Sequence, residues 1–346
     1  MVAYDWSSGG TFSHKLRRVD VPTWADADDA GGFLSASVER VSGGLLESGS
    51  VTVSREVGEA FEPGYYRLST VAEGAGGLAR ADVATFYCAS AGGEASRGAD
   101  ALSVECRSVL YPASVGLLLA GSYAPRGADG AEFAAGLLRE CCACPVRVDG
   151  SFSLGAAVVF RPGCSRLEAA WTLLEAAGWR MRVDGGGEVS IGPMPSEPAM
   201  VLGRGSARIM SPGASHALDY SNVPNSYYAD DGTQAARAVN DDPSSPTSTV
   251  SRGYVHDVLD AEPLPVGGEG LAAYARRKLR ELSVVEDSRT YARAFEPGLR
   301  PYDVVRFELP DMGLYGNMRI KSQSPEFGRG ISTRETAARE VRTWTG

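Results

Sequence analysis

Apolar and polar positions alternate along much of the first hundred residues. The alternation runs through residues 32–41, where Phe33, Val38 and Val41 are interleaved with Ser35 and Ser37. It is cleaner over 50–55, where Val51 and Val53 are set against Thr52 and Ser54. A period of two turns one face of an extended chain toward a core and predicts strands. Three further candidate strands cover 65–71, 84–89 and 102–109. Gly43-Gly44, Pro63-Gly64 and the glycines of 74–77 mark turns between the strands. Short strands with glycine turns and no helix predict a small β-barrel or sandwich over 1–112.

The period becomes helical after Pro112. Asp129-Gly130 leads into 131–141, where Phe133, Leu137, Leu138 and Cys141 recur at helical spacing. Ser165 reads as an N-cap with Glu168 three residues on, the pattern of a capping box. Leu167, Trp171, Leu174 and Ala177 line one face of the helix that follows, and Gly178 ends it. A strand over 179–183, a turn at 184–187 and a strand over 188–192 come next. Residues 113–198 therefore read as an α+β module.

A third region, 199–292, has a polar middle over 233–251 that includes Asn240, Asp241, Asp242, Pro243, Ser244, Ser245 and Pro246. This composition predicts an exposed loop or hairpin tip. A helix over 270–282 would bury Leu271, Tyr274, Leu279 and Leu282 and expose Arg276, Arg277, Lys278 and Arg280. Strand patterns return at 289–294, 303–309, 314–323 and 335–344, so 293–346 is expected to supply strands of a C-terminal barrel.

Ala60-Phe61-Glu62-Pro63-Gly64 recurs as Ala294-Phe295-Glu296-Pro297-Gly298, and each copy leads into an aromatic strand. The bland explanation is two similar turns. The sharper one is a pair of related β-barrels bracketing α+β inserts, which agrees with helices lying only between the two copies. The fold class expected is thus α+β and β-rich, with two small barrels around α+β insert domains.

Composition narrows the function. The 346 residues carry Lys+Arg 34 against Asp+Glu 43, a formal net charge of −9, which argues against a basic nucleic-acid platform. No apolar run approaches the ~20 residues of a membrane span, and the first residues lack signal-peptide order, so a cytosolic product is expected. His14, His216 and His256 fall in no zinc-protease or triad signature. The metal-ligand candidates are Cys141, Cys142 and Cys144, with Cys164 further on, since close thiolates can hold zinc. Their spacing is not a paired CxxC form and Cys141 continues an apolar helix face, so structural thiols are expected, with no metal and no cofactor. The glycine stretches 74–77 and 185–187 do not join a strand to a helix with Lys-Ser/Thr, which leaves them as turns and not phosphate loops. Asp26, Asp28 and Asp29 lack the spacing of a calcium loop and read as surface acid.

Several motifs then fall into one order. Asn222-Val223-Pro224-Asn225-Ser226-Tyr227-Tyr228 opens a strand. The polar excursion and the 271–282 helix follow, and then Pro297-Gly298-Leu299-Arg300-Pro301-Tyr302-Asp303-Val304-Val305 and a closing hairpin over 316–324 and 335–341. The segment 165–195 adds a helix and a Gly-Trp strand. This order resembles the central hub proteins at the tail tip of long-tailed bacteriophages, a fold shared with the spike of contractile injection systems. Tyr302 stands where that family more often has Gly.

The resemblance implies a structural virion protein of the tail tip, made in the host cytoplasm. It also implies a homo-trimer whose duplicated barrels form a pseudo-sixfold ring. The ring would end the tail tube, meet the distal tail and tape-measure proteins, and enclose a channel that genomic DNA passes without specific binding. No enzymatic activity and no membrane insertion are implied. The duplicated turns, Phe61, Pro63 and Gly64 with Phe295, Pro297, Gly298 and Asp303, become structural or interface positions. The alternatives are a receptor- or carbohydrate-binding tail-tip module and a cell-wall hydrolase.

Overall fold

A computed structural model describes residues 5–6, 10–74, 77–92, 101–203, 215–265 and 269–346. Residues 75 and 76 of the predicted glycine turn lie outside the described residues. The chain is mostly β. Its N-terminal region holds β1 (Thr11–Asp20), β2 (Ala25–Asp29), β3 (Phe33–Val41), β4 (Glu47–Ser54), β5 (Gly64–Gly74), β6 (Gly77–Gly92) and β7 (Ala101–Ser108). A short helix, α1 (Arg55–Glu59), interrupts this run where none was expected. The strands β1 and β2 were also not predicted.

The α+β module comprises α2 (Tyr111–Val115), β8 (Ser122–Ala124), α3 (Gly130–Arg139), β9 (Val146–Val148), β10 (Val158–Phe160), α4 (Arg166–Ala176), β11 (Trp179–Val183) and β12 (Val189–Pro193). The helix α4 starts where its Ser165 cap predicts, and α3 starts at Gly130, one residue before the expected 131. The Asp129 carboxylate accepts from the amides of Ala131 and Glu132, and the Ser165 hydroxyl accepts from the Glu168 amide at 3.1 Å. The small three-stranded sheet has the order β11-β12-β9, and the core beneath it gathers Leu137, Leu138, Leu173, Leu174, Met181 and Ile191.

The remainder contains β13 (Pro198–Gly203), β14 (Ser215–Leu218), β15 (Ser226–Asp230), β16 (Ala235–Val239), α5 (Thr249–Arg252), β17 (Asp257–Asp260), α6 (Leu271–Leu282) and β18 (Val284–Arg293). The chain ends with β19 (Val304–Leu309), β20 (Leu314–Phe327) and β21 (Ile331–Arg342). The helix α6 buries Tyr274, Ala275 and Leu279 against the sheet β16-β15-β17, while Leu282, expected inside, is 39% exposed. The hydroxyls of Tyr227 and Tyr274 both donate to Asp260 Oδ2 at 2.7 Å, tying helix to sheet.

The polar stretch 233–251 is only in part the exposed loop that its composition predicts: Asp241, Pro243, Ser244 and Pro246 are exposed, but four polar residues are not. Asn240, Ser245, Thr247 and Ser248 are buried. Burial is possible because these groups bond to one another and to distant chain. Asn240 Nδ2 donates to Ser245 Oγ at 2.9 Å, and Thr247 Oγ1 donates to Thr343 Oγ1 at 2.8 Å.

Among the described residues, thirteen strands share one sheet, in the order β14-β18-β21-β20-β3-β4-β7-β6-β5-β1-β2, with β19 on β20 and β13 on β19. The two β regions at the chain ends are therefore joined, and the sheet is not two closed barrels. Each half still wraps its own core. One core contains Leu16, Val38, Val51, Leu68, Phe86 and Val104; the other contains Leu202, Tyr291, Val305, Phe307, Met318 and Ile320. The strand β20 belongs to both halves: its first part pairs with β19 (Arg319↔Val304), and its last part with β3 (Phe327↔Ala36). A register shift between Ile320 and Ser322 accommodates the change of partner. The expected boundary at 292/293 falls within β18, which pairs with β21 throughout its length. Among the described residues, no helix is long and apolar enough to cross a membrane.

Candidate functional site

The three histidines belong to separate elements. His14 bonds to Thr70 Oγ1 and the Gly328 carbonyl, and burial lowers its pKa below the usual value. His216 pairs with Asp287 at 3.0 Å on the β14 edge. Cys141 and Cys142 have their sulfurs 3.9 Å apart, whereas Cys164 donates to the carbonyl of Ser165. A hydrogen bond from Cys142, together with burial, pushes the Cys141 thiol far up, and the Cys142 thiol is raised to about 12. Such thiols stay protonated at neutral pH. Among the described residues, no three His, Cys, Asp or Glu side chains converge as metal ligands.

The two duplicated turns have different surroundings. Phe61 stacks on Tyr66 at 4.8 Å, Pro63 is exposed and Gly64 begins β5. Phe295 is buried edge-on against Phe327 at 5.3 Å. Pro297 and Gly298 use their carbonyls to accept from Arg300 and Arg182, at 3.0 and 2.9 Å. The carboxylate of Asp303 accepts from Arg182 Nη1 at 2.8 Å and from the Arg300 amide at 2.9 Å. Tyr302 has φ 76°, the left-handed region that favours Gly, and its ring is buried in the α+β core.

The most heavily built polar locus is the junction of all three regions, under the β11–β12 turn. Gly185 and Gly186 press against the N-terminal sheet: Thr85 Oγ1 donates to the Gly185 carbonyl at 2.9 Å, and Trp24 Nε1 donates to the Gly186 carbonyl at 2.8 Å. Arg67 bridges this turn and the sheet, donating to the Gly186 and Trp24 carbonyls and to Asp26. On the other side, Arg182 of β11 reaches Gly298 and Asp303 of the C-terminal turn.

Beneath them, Arg40 pairs with Glu47 at 2.9 Å, and Arg40 and Arg300 both donate to the Val83 carbonyl. All three side chains are buried, and loss of water lowers the pKa of both arginines and raises that of Glu47. Such a cluster costs desolvation energy and persists because Glu47 pairs Arg40 while main-chain carbonyls from segments far apart in sequence accept from both arginines. Sequence reasoning identified 184–187 as a turn but had no signal for its partners.

The same cluster anchors the sheet edge. Asp26 of β2 accepts from Arg17, Arg67 and Arg80. Partial burial works to raise its pKa, but the hydrogen bond from Arg80, the charge of Arg67 and the bond from Arg17 outweigh it and hold the group below 3.8. A depressed carboxylate stabilises the fold above its unfolded-chain pKa and loses that contribution as pH falls through the lower folded value. Acidification below pH ~3.8 should therefore release β2 from β1, read as loss of amide-exchange protection along β2. In Asp26→Asn, the β1–β2 pairing should be weaker at neutral pH and show no such acid step. An acid step unchanged in that variant would sink the assignment.

The outer face of the N-terminal sheet is different in kind. Glu105, Ser50, Ser37 and Glu326 stand side by side across β7, β4, β3 and β20. The hydroxyls of Ser37 and Ser50 are 3.0 Å apart. A shallow groove of about 680 Å³ runs over this face and also touches Glu39, Ser48 and Ser324. The lining is mixed: Leu45, Tyr111 and Pro325 add apolar surface, and the cation Arg107 is paired with Glu105 at 3.3 Å among three carboxylates, Glu39, Glu105 and Glu326.

No protein family's sequence profile matches the chain, and no relative is found among curated proteins. Solved structures do match it. The tail protein from Neisseria meningitidis MC58 aligns with TM-score 0.68 at 13% identity, covering 95% of this chain and 97% of that one. A 43 kDa tail protein of prophage MuSo2 from Shewanella oneidensis aligns with TM-score 0.61 at 13% identity, covering 95% and 98%. Prophage tail protein gp18 from Listeria monocytogenes EGD-e gives 0.56 at 11% identity, covering 94% of each chain. The chain thus has the fold of phage tail proteins, as its motifs imply.

Proposed function

We propose that this chain is a structural component of a phage-type tail, the hub at the tail tip, with a mechanical and not a catalytic role. The observation that carries this reading is the end-to-end correspondence of fold with the Neisseria tail protein, over 95% of this chain and 97% of that one. In this reading three copies close a ring. The two sheet halves, each around its own core, act as the two barrel-like units that match a sixfold tube to a threefold tip. Residues 1–112 and 293–346 supply those units, and 113–198 and 199–292 are inserts between them. Pro63, Gly64 and Gly298 are the positions of the duplicated turns proposed to meet a neighbouring copy; Phe295 and Asp303 hold each copy together. The ring ends the tail tube, contacts distal tail and tape-measure proteins, and encloses the DNA channel at the virion tail tip.

The face around Ser37 and Ser50 suits the channel wall, because its carboxylates Glu39, Glu105 and Glu326 outnumber its one cation, Arg107, which Glu105 already pairs, so a passing polyanion gains little from counterion release there. Light scattering on the purified protein should give the mass of a trimer. A strict monomer at high concentration that also leaves no ring on tail assembly would overturn the hub reading. Ser37→Lys with Ser50→Lys should leave tail assembly intact and slow DNA release about tenfold or more. Normal release from tails that contain the variant would remove this face from the channel.

A further inference from the structure

Two cysteines outside the junction are placed for chemistry that the sequence does not announce. Cys88 of β6 and Cys106 of β7 are direct cross-strand partners in the antiparallel register. Their sulfurs are 3.5 Å apart, and both side chains point into the N-terminal core, 0% and 2% exposed. Directly opposed residues of antiparallel strands have Cα atoms roughly 4.5–5.5 Å apart, inside the range that a disulfide spans. A χ1 adjustment can therefore close the gap between the sulfurs without moving either strand. The other close thiols, Cys141 and Cys142, are chain neighbours and lack this opposed geometry.

We propose that Cys88 and Cys106 are a latent disulfide site, which closes to an intramolecular cross-strand bond when the folded protein meets a hydroperoxide. One thiolate attacks the peroxide, breaking the O–O bond to give a sulfenic acid and hydroxide. The second thiol then attacks that sulfur, forming the S–S bond and releasing water. The sum is two thiols and one hydrogen peroxide giving one disulfide and two waters. The thiols lose two electrons and two protons, and the peroxide takes both. The hydrogen bond to Cys106, and after it burial, hold the Cys88 thiol well above its ordinary pKa. The thiolate is therefore scarce at neutral pH, and closure should speed up about tenfold per pH unit below that pKa.

The test uses the full chain. Folded protein is treated with hydrogen peroxide, quenched, alkylated with iodoacetamide in denaturant, and mapped by mass spectrometry. The expected product is lighter by two hydrogens, has two fewer alkylated cysteines, and yields a peptide pair joined through Cys88 and Cys106. Its melting temperature should be a few degrees higher than that of the untreated chain, because the bond restricts the unfolded state. Cys106→Ser should leave Cys88 unbridged. The proposal fails if Cys88 and Cys106 stay alkylated, if they carry separate sulfenic or sulfinic acids, or if Cys88 bridges to another thiol in wild type. Because the first measurement is made on the wild-type chain, it does not depend on any variant folding.

Discussion

Gly185→Ala is expected to lose about 3 kcal/mol of stability or more and to loosen the α+β module from the sheet, a large loss for a single methyl group. A Cβ at this position would lie 1.8 Å from the Asp82 carbonyl oxygen and 2.5 Å from its carbon. Both are main-chain atoms of β6, held in register on β5, so the collision cannot be relieved by turning a side chain. The turn would have to retreat, and with it the acceptors for Thr85, Trp24 and Arg67. Gly186→Ala is the control: its Cβ would meet nothing closer than the Asp184 carboxylate at 3.4 Å. Thermal unfolding and limited proteolysis of 194–197 check both variants. Equal stability of the two would mean that the turn does not bear on the sheet.

The second large effect concerns the C-terminal core. Arg293→Met should cost about 3–5 kcal/mol, because it leaves a carboxylate buried without its counter-charge. Glu335 is fully enclosed, accepting from Arg293 at 2.9 and 2.6 Å and from Gln323 at 2.6 Å, with the Tyr291 hydroxyl on its other oxygen. Arg293 is among the largest side chains enclosed in the protein. Its guanidinium is held above its ordinary pKa: burial opposes the charge, but the Glu335 carboxylate more than offsets it. Adding Glu335→Gln to Arg293→Met removes the orphaned charge while keeping polar atoms for Tyr291 and Gln323, so the double variant should recover much of the loss. Chemical denaturation of both variants measures the coupling. A single variant within about 1 kcal/mol of wild type would show that the pair is dispensable.

These two sites also mark how far the sequence could be read. The turn at 184–187 was legible, as was the helix cap at Ser165, because their signals lie within a few residues of one another. Strands with clean alternation, such as the one carrying Val51 and Val53, were legible for the same reason. By contrast, β2 reads Ala-Asp-Ala-Asp-Asp and offers no apolar period. It is a strand because arginines from β1, β5 and β6 neutralise Asp26. Within the polar run 240–248, composition does not reveal that Asn240, Ser245, Thr247 and Ser248 are buried, because the partner of the Thr247 hydroxyl, Thr343, lies far along the chain.

What the sequence determined by itself was therefore the local layer. It established a β-rich chain with a helical insert, its turns, its caps, and the motif order that resembles tail-tip hubs. Only the tertiary structure decided that the two terminal β regions are one sheet, shared through β20, and that the hairpin turn at Gly185 and Gly186 locks the insert onto it. The physical reason is range. Side-chain periodicity, capping and turn conformation are settled by neighbours along the chain. Strand partners, close backbone approaches and compensated buried charges are settled between residues hundreds of positions apart, 217 for Arg300 and Val83, and leave no pattern in either segment alone.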